Sequence, residues 1–352
     1  MRRLAAVIVG LCLASSAPAA GLDPVSQTVS ISFSGDVLAH NSLYWAAETS
    51  TGYNFKPMFK PLIPSLNADI NICHLETPLV DEPPTTYPVF ATPPELATAL
   101  KYVGFDGCSI ASNHSLDQGT TGVVSTITTM KAAGLKTAGA RKSSGGTSIG
   151  WYTAPNGIRI AQIAFSYGFN GRSLPSDKSW MVNRIRERDI LAAASRAKAQ
   201  GADVVVATLH WGTEYATRSN SMQRTLAAAL TKSPNIDAVV GHHAHVLQEA
   251  VTMNGKPVVY GMGNLWSGQG PWKDQPYGQQ GVVVTLTFGV MDHIAHYVAG
   301  SYVPTLTIPG SWQVMDARKV TKSSQWSQAC SSIKNAATKL PVLTGPKTCP
   351  SH

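Results

Sequence analysis

His242-His243-Ala244-His245 places three imidazoles within four residues, directly after the apolar run Asp237-Ala238-Val239-Val240-Gly241. That density of histidine has no purpose in a packed core. A His-x-His pair in an extended segment aims both rings to one side, which suits a metal ion. His210 ends another apolar run in the same way, ahead of Trp211-Gly212-Thr213-Glu214. Other metal-competent groups also stand where apolar runs stop: Asp36, His40, Glu76, Asn113 and His114. Singly they are weak signals, since Gly-Asp is commonly a turn, a loop Glu is commonly solvated, and Asn commonly caps a helix. As an ordered set they offer mixed oxygen and nitrogen donors, the chemistry of Mn, Fe or Zn rather than Ca or Mg. There are enough for two ions sharing a carboxylate, with Glu76 as the bridge, able to polarise a phosphoryl oxygen for in-line attack.

Such a set needs strands that end together. Short apolar runs, each followed by a polar loop and a helical stretch, recur through the chain. Val29 to Phe33 leads to Asp36, Ile70 to Cys73 to Glu76, and Cys108 to Ala111 to Asn113-His114. Ala202 to Leu209 is a continuous run expected of a strand covered on both faces, and Ile236 to Val240 is another. Helical character appears over Pro94 to Val103, Gly122 to Ala133, Glu187 to Ala199 and Ser221 to Thr231. Asn156-Gly157 and Asn254-Gly255 mark hairpin turns. Segments 77–94 and 166–184 read as long surface loops. The carboxyl ends of strands in an α/β sheet are where sites are built, so one α/β domain is expected, with a polar C-terminal appendage.

The 352 residues are 43% hydrophobic and 14% charged, with 30 Gly and 22 Pro, which excludes a disordered polymer and a coiled coil. Arg2-Arg3, the apolar stretch Leu4 to Ala14 and Ala17-Pro18-Ala19 read as a cleavable export signal, too short for a stable membrane anchor. Residues 1–19 are therefore assigned to a signal peptide, 20–317 to the domain and 318–352 to the tail, in a periplasmic or extracellular protein. Losing Arg2 and Arg3 lowers Lys+Arg from 28 to 26 against 20 Asp+Glu, so the net charge falls from +8 to +6. Without a Lys/Arg run, that balance argues against nucleic acid and leaves an anionic polymer as a partner. Cys330 and Cys349 are placed to close a short loop worth about 3 kcal/mol. Cys73 and Cys108, inside apolar runs, read as small buried hydrophobes.

Several of these segments resemble the bacterial CapA family of capsule and poly-γ-glutamate synthesis proteins: Ser34-Gly35-Asp36-Val37, Leu75-Glu76-Thr77-Pro78, Ser112-Asn113-His114-Ser115-Leu116-Asp117, His210-Trp211-Gly212-Thr213-Glu214-Tyr215, Gly241-His242-His243-Ala244-His245-Val246-Leu247-Gln248 and Tyr260-Gly261-Met262-Gly263-Asn264-Leu265. The likeness covers roughly residues 28 to 290. It implies a layered α/β/β/α sandwich of the calcineurin-like metallophosphatase type. Residue by residue it implies Asp36, Glu76, Asn113, His210, His243 and His245 as metal ligands, His114 beside them as acid or charge stabiliser, and Asp117 orienting His114. His74 stands where the family usually has Asn, and reads as solvent-exposed, with an extra ligand as the alternative. His40 falls outside the usual Asp-x-His spacing.

Three functions follow from the resemblance. One is a secreted dinuclear hydrolase of a phosphoester or anionic polymer. The second is a non-catalytic assembly or binding component for a capsule polymer. The third is a γ-glutamyl amide hydrolase. The absence of Gly-x-Ser-x-Gly and of Gly-x-Gly-x-x-Gly after the first strand argues against a serine hydrolase and a dinucleotide enzyme.

Overall fold

A computed structural model describes residues 27–270, 277–321 and 323–349. The proposed signal segment lies outside these residues. Among them, no helix is long and apolar enough to cross a membrane.

Two sheets carry the fold. The larger has eight strands. Its path runs Val314–Asp316, Ile294–Thr307, Gln280–Met291, Gln27–Leu38, Ile70–Leu75, Gly107–Ser109, Lys136–Ala138, and Asn264–Ser267 pairs with the end of Gln27–Leu38. The smaller has six, in the order Ala250–Met253, Lys256–Val259, Ala238–His242, Val204–His210, Arg159–Ser166, Ile149–Thr153. Its four inner strands are parallel, and both Asn-Gly hairpins lie at its edges as expected.

The strand Val204–His210 shows how the layers form. Val204 and Val206 pack with Ile31, Phe33 and Ile72 of the other sheet. Val205, Ala207 and Leu209 pack with Ile190 and Leu226 of the helices Glu187–Ala199 and Ser221–Lys232. Side chains alternate across a strand, so a run apolar at every position needs cover on both faces. The outer face of the larger sheet buries Cys73 and Leu75 against Leu100 and Ile127 of the helices Glu95–Val103 and Gly119–Ala132. The result is the four-layer α/β/β/α sandwich expected from the sequence.

Two expectations are corrected here. Cys73 and Cys108 are buried, but they are bonded to each other across neighbouring parallel strands, in register. The C-terminal segment is not held by polarity and a disulfide alone. Its helix Ser323–Lys339 sets Ala329 and Ile333 against Leu306 and Val320, while Ala336, Leu340 and Leu343 join the core between the sheets. The Cys330–Cys349 disulfide is present as expected.

Candidate metal centre

Parallel strands of both sheets bring their carboxyl ends to one place. Asp36 lies near the end of Gln27–Leu38, His74 near the end of Ile70–Leu75 with Glu76 just beyond it, His210 ends Val204–His210 and His242 ends Ala238–His242. A bulge at Asp36 breaks the pairing of the first strand and redirects its side chain. Close backbone approach makes this possible. A Cβ on Gly35 would lie 2.4 Å from the Gly263 carbonyl oxygen, and one on Gly241 2.0 Å from that of Tyr260. Larger residues at either position would push the strands apart.

Asp36 is fully enclosed. His242 Nδ1 lies 2.8 Å from its Oδ1 and His245 Nδ1 3.1 Å from its Oδ2, and the His243 backbone N–H donates to Oδ2 at 3.2 Å. Burial alone would raise this carboxyl, but the His242 and His245 contacts outweigh it and hold it well below the usual carboxylate range. Glu76 is the opposite case. Neither of its buried carboxylate oxygens has a hydrogen-bond partner, and burial pushes the carboxyl well up. Its Oε1 lies 3.7 Å from His245 Nε2 and 3.8 Å from His210 Nε2.

The imidazoles are mostly driven neutral, the form that ligates metals. Burial pushes His74 and His210 well down, and burial with the neighbouring His245 takes His243 to about 3. His245 departs from this. Burial would lower it, but Glu76 and Asp36 raise it to about 10. His243 also leaves Nδ1 buried without a hydrogen-bond partner. A divalent cation supplies what these groups lack, a positive charge that accepts their unused lone pairs. The residues therefore fit a metal. Two groups have ligand atoms that all lie within 4.8 Å of one another: Asp36, His74 and His242, and Glu76, His243 and His245.

All the ligands implied by the sequence meet here. Asn113 Oδ1 lies 2.9 Å from His210 Nε2, although neither residue belongs to those two groups. Ser112 Oγ ties their loop to the Glu76 carbonyl. His114 Nδ1 lies 2.7 Å from Asp117 Oδ2, which also accepts the Phe90 N–H at 2.8 Å. Asn170 Nδ2 approaches the same His114 nitrogen at 3.4 Å.

The expected exposure of His74 is wrong, because its accessible surface is 0%. Its Nδ1 lies 2.7 Å from Ser109 Oγ, its Nε2 lies 2.9 Å from His210 Nδ1, and its ring stacks on His242 at 4.1 Å. In one tautomeric direction His210 Nδ1–H donates to His74 and His74 donates to Ser109, which leaves His210 Nε2 free to ligate. The extended backbone expected at His243-x-His245 is also absent. Both histidines have positive φ, 85° and 57°, so left-handed turns aim the two rings. Such backbone in non-glycine residues costs of order 1–3 kcal/mol each and concentrates at functional sites. His40 stays outside the cluster, with Nδ1 3.2 Å from the Leu38 carbonyl oxygen and accepting the Gly268 N–H at 3.2 Å. Sequence reasoning counted His242 in the histidine cluster but not among the ligands, and it missed Tyr167, whose ring lies 4.6 Å from that of His243.

The capsule biosynthesis protein CapA of Bacillus anthracis is 31% identical over 179 residues, 50% of this chain and 43% of that protein. The PGA biosynthesis protein CapA of Bacillus subtilis is 31% identical over 177 residues, 50% and 46% respectively. The matched region thus spans less than half the length of these relatives. The solved calcineurin-like phosphoesterase YfkN from Bacillus subtilis aligns over 89% of this chain and 97% of that one, at 14% identity and a TM-score of 0.48, too low to bear on the site. Residues 30–269, which hold every candidate ligand named above, match the family described as bacterial capsule synthesis protein PGA_cap, and the chain belongs to that family.

Proposed function

We propose that the chain is an exported, metal-dependent hydrolase of the phosphoesterase type, acting in the metabolism of a capsule or poly-γ-glutamate polymer. The observation that carries this reading is Glu76, a carboxylate buried without a partner amid His210, His243 and His245. A buried carboxyl without a partner is costly in a dry site unless a cation meets it. Asp36, Glu76, Asn113, His210, His243 and His245 would hold up to two divalent transition-metal ions, and His74 and His242 would support or extend that set. Bound there, the ions supply Lewis-acid polarisation of a phosphoryl oxygen. His114 is the proton carrier. Asp117 at its Nδ1 orients the ring, so that Nε2–H can protonate the leaving oxygen as water adds to phosphorus and the ester bond breaks. Two disulfides among the described residues support a place outside the cytoplasm.

The names of these relatives describe polymer biosynthesis, and this favours a second reading, a polymer-binding assembly component. A screen of phosphomonoesters, phosphodiesters and γ-glutamyl polymers with metal-loaded protein separates the two. For the hydrolase, His114→Ala leaves metal content unchanged and lowers kcat by about 10²–10⁴-fold with little change in KM. If no substrate is turned over and polymer binding survives the substitution, the assembly reading takes its place.

A further inference from the structure

The cavity beneath segment 166–184, about 430 Å³ in volume, is lined by Arg141, Arg172, Arg184, Arg186 and Arg196. One carboxylate, Asp189, shares that lining with the five arginines, and no lysine does. Asp189 itself is engaged by Arg186 at 3.8 Å and Arg188 at 3.2 Å. Among the described residues, Arg172, Arg184 and Arg196 have no carboxylate partner. Arg141 is fixed, with Nε donating to the Trp180 carbonyl at 3.1 Å, Nη1 to that of Gly146 at 3.2 Å, and its guanidinium 5.6 Å from the Trp180 ring centre.

The convergence has a structural cause. Asp189, Ala192, Ala193 and Arg196 recur at helical spacing on one face of Glu187–Ala199, and the two alanines leave room between the charges. Arg184 lies in a short bridge with Ser166, extended backbone that sends Arg184 and Arg186 to the same side. Segment 166–184 joins the metal centre to this cavity. Phe169 lines it, while Tyr167 packs on His243 and Asn170 approaches His114. Arg172 follows Asn170 by two residues, a reach of about 7 Å along the chain.

We infer that this cavity is an oxyanion subsite, which holds carboxylate or phosphate groups on an arm of the substrate while the bond to be broken lies at the histidine–carboxylate cluster. The inference rests on the hydrolase reading for its substrate, but the site itself stands on its own residues. Planar guanidinium forks match both carboxylate and phosphate in bidentate geometry, and a lining whose cations are all arginine suits such recognition. The mutual repulsion of the unpaired cations is relieved when an oxyanion sits among them.

Calorimetric titration of the whole protein with γ-linked hexaglutamate and, separately, with tripolyphosphate tests it. At least one anion is expected to bind, with affinity that falls as salt rises, while neutral hexaglutamine does not. Arg184 and Arg196 are exposed, so Arg184→Gln/Arg196→Gln should keep the melting temperature and metal uptake of the parent and weaken anion binding at least 10-fold. Which anion binds identifies carboxylate or phosphate as the source. Failure of both anions to bind, or equal binding by parent and variant, overturns the subsite. The same titration on Glu76→Gln keeps the two readings apart. Anion binding there should persist, so a subsite that fails leaves metal uptake standing, and absent turnover leaves the subsite standing.

Discussion

Glu76→Gln should separate the metal-free from the metal-loaded protein. Without metal, both carboxylate oxygens are buried without partners and burial has pushed the carboxyl well up. Glutamine fills the same volume without the charge, so the metal-free variant should lie within about 1 kcal/mol of the parent. With metal the variant lacks a charged donor. Loss even of a group that only supports a ligand weakens metal sites 10–100-fold, so about 100-fold is the expectation for Glu76 itself. At a metal concentration of about 100 times the parent's Kd, the parent gains about 2.7 kcal/mol of stability, and the variant at the same concentration about 0.4 kcal/mol. At about 2–4 °C per kcal/mol, these gains are about 5–10 °C and about 1 °C. Thermal melts of chelator-treated protein, with Mn²⁺ or Zn²⁺ restored in steps, read both numbers. Equal metal-induced shifts in parent and variant, or a metal-free variant destabilised by more than about 3 kcal/mol, would refute the reasoning.

Lys198→Met should cost about 3 kcal/mol at pH 7, because it strips the cation 2.9 Å from the buried Asp237 carboxylate. Burial already holds that carboxyl above its usual value against the pull of Lys198, and losing Lys198 raises it further. The cost should therefore shrink as pH falls and Asp237 takes up a proton in the folded state, which denaturant melts at pH 7 and pH 5 will show; a cost independent of pH counts against it. Thiol titration of unfolded, unreduced protein that lacks residues 1–19 should find no free cysteine, since Cys73 pairs with Cys108 and Cys330 with Cys349. Cys349→Ser should lower stability by about 3 kcal/mol, from a loop of 19 residues' separation. The helix Ser323–Lys339 should stay docked through Ile333 and Ala336, and its release in hydrogen exchange would contradict that packing.

The legible parts of the fold were those where one physical rule dominates. Val204–His210 is apolar at every position, and only a strand covered on both faces uses such a run. The ends of such runs located Asp36, Glu76, His210 and His243 without any knowledge of shape. What escaped depends on register and on partners far apart in sequence. His74 looks like an exposed loop residue until the pairing of Ile70–Leu75 with Gly107–Ser109 sets it beside Ser109, and His210 meets it from the other sheet, 136 positions away. The same register puts Cys73 opposite Cys108. The C-terminal helix is polar along much of its length, and its few apolar positions gain meaning only from the groove that receives them. The five arginines of the cavity are scattered over residues 141–196 and gather only when segment 166–184 and the helix Glu187–Ala199 line one space.

The central claim is that Asp36, Glu76 and the surrounding histidines form a metal centre. Equilibrium dialysis of the purified chain against Mn²⁺, Fe²⁺ or Zn²⁺, with element analysis of the protein fraction, tests it most directly. The expected result is tight retention of at least one and up to two ions per chain, with loss of retained metal in Asp36→Asn and His243→Ala while the fold persists by circular dichroism. Parent protein that retains no more metal than these variants, under conditions where all are folded, would contradict the claim.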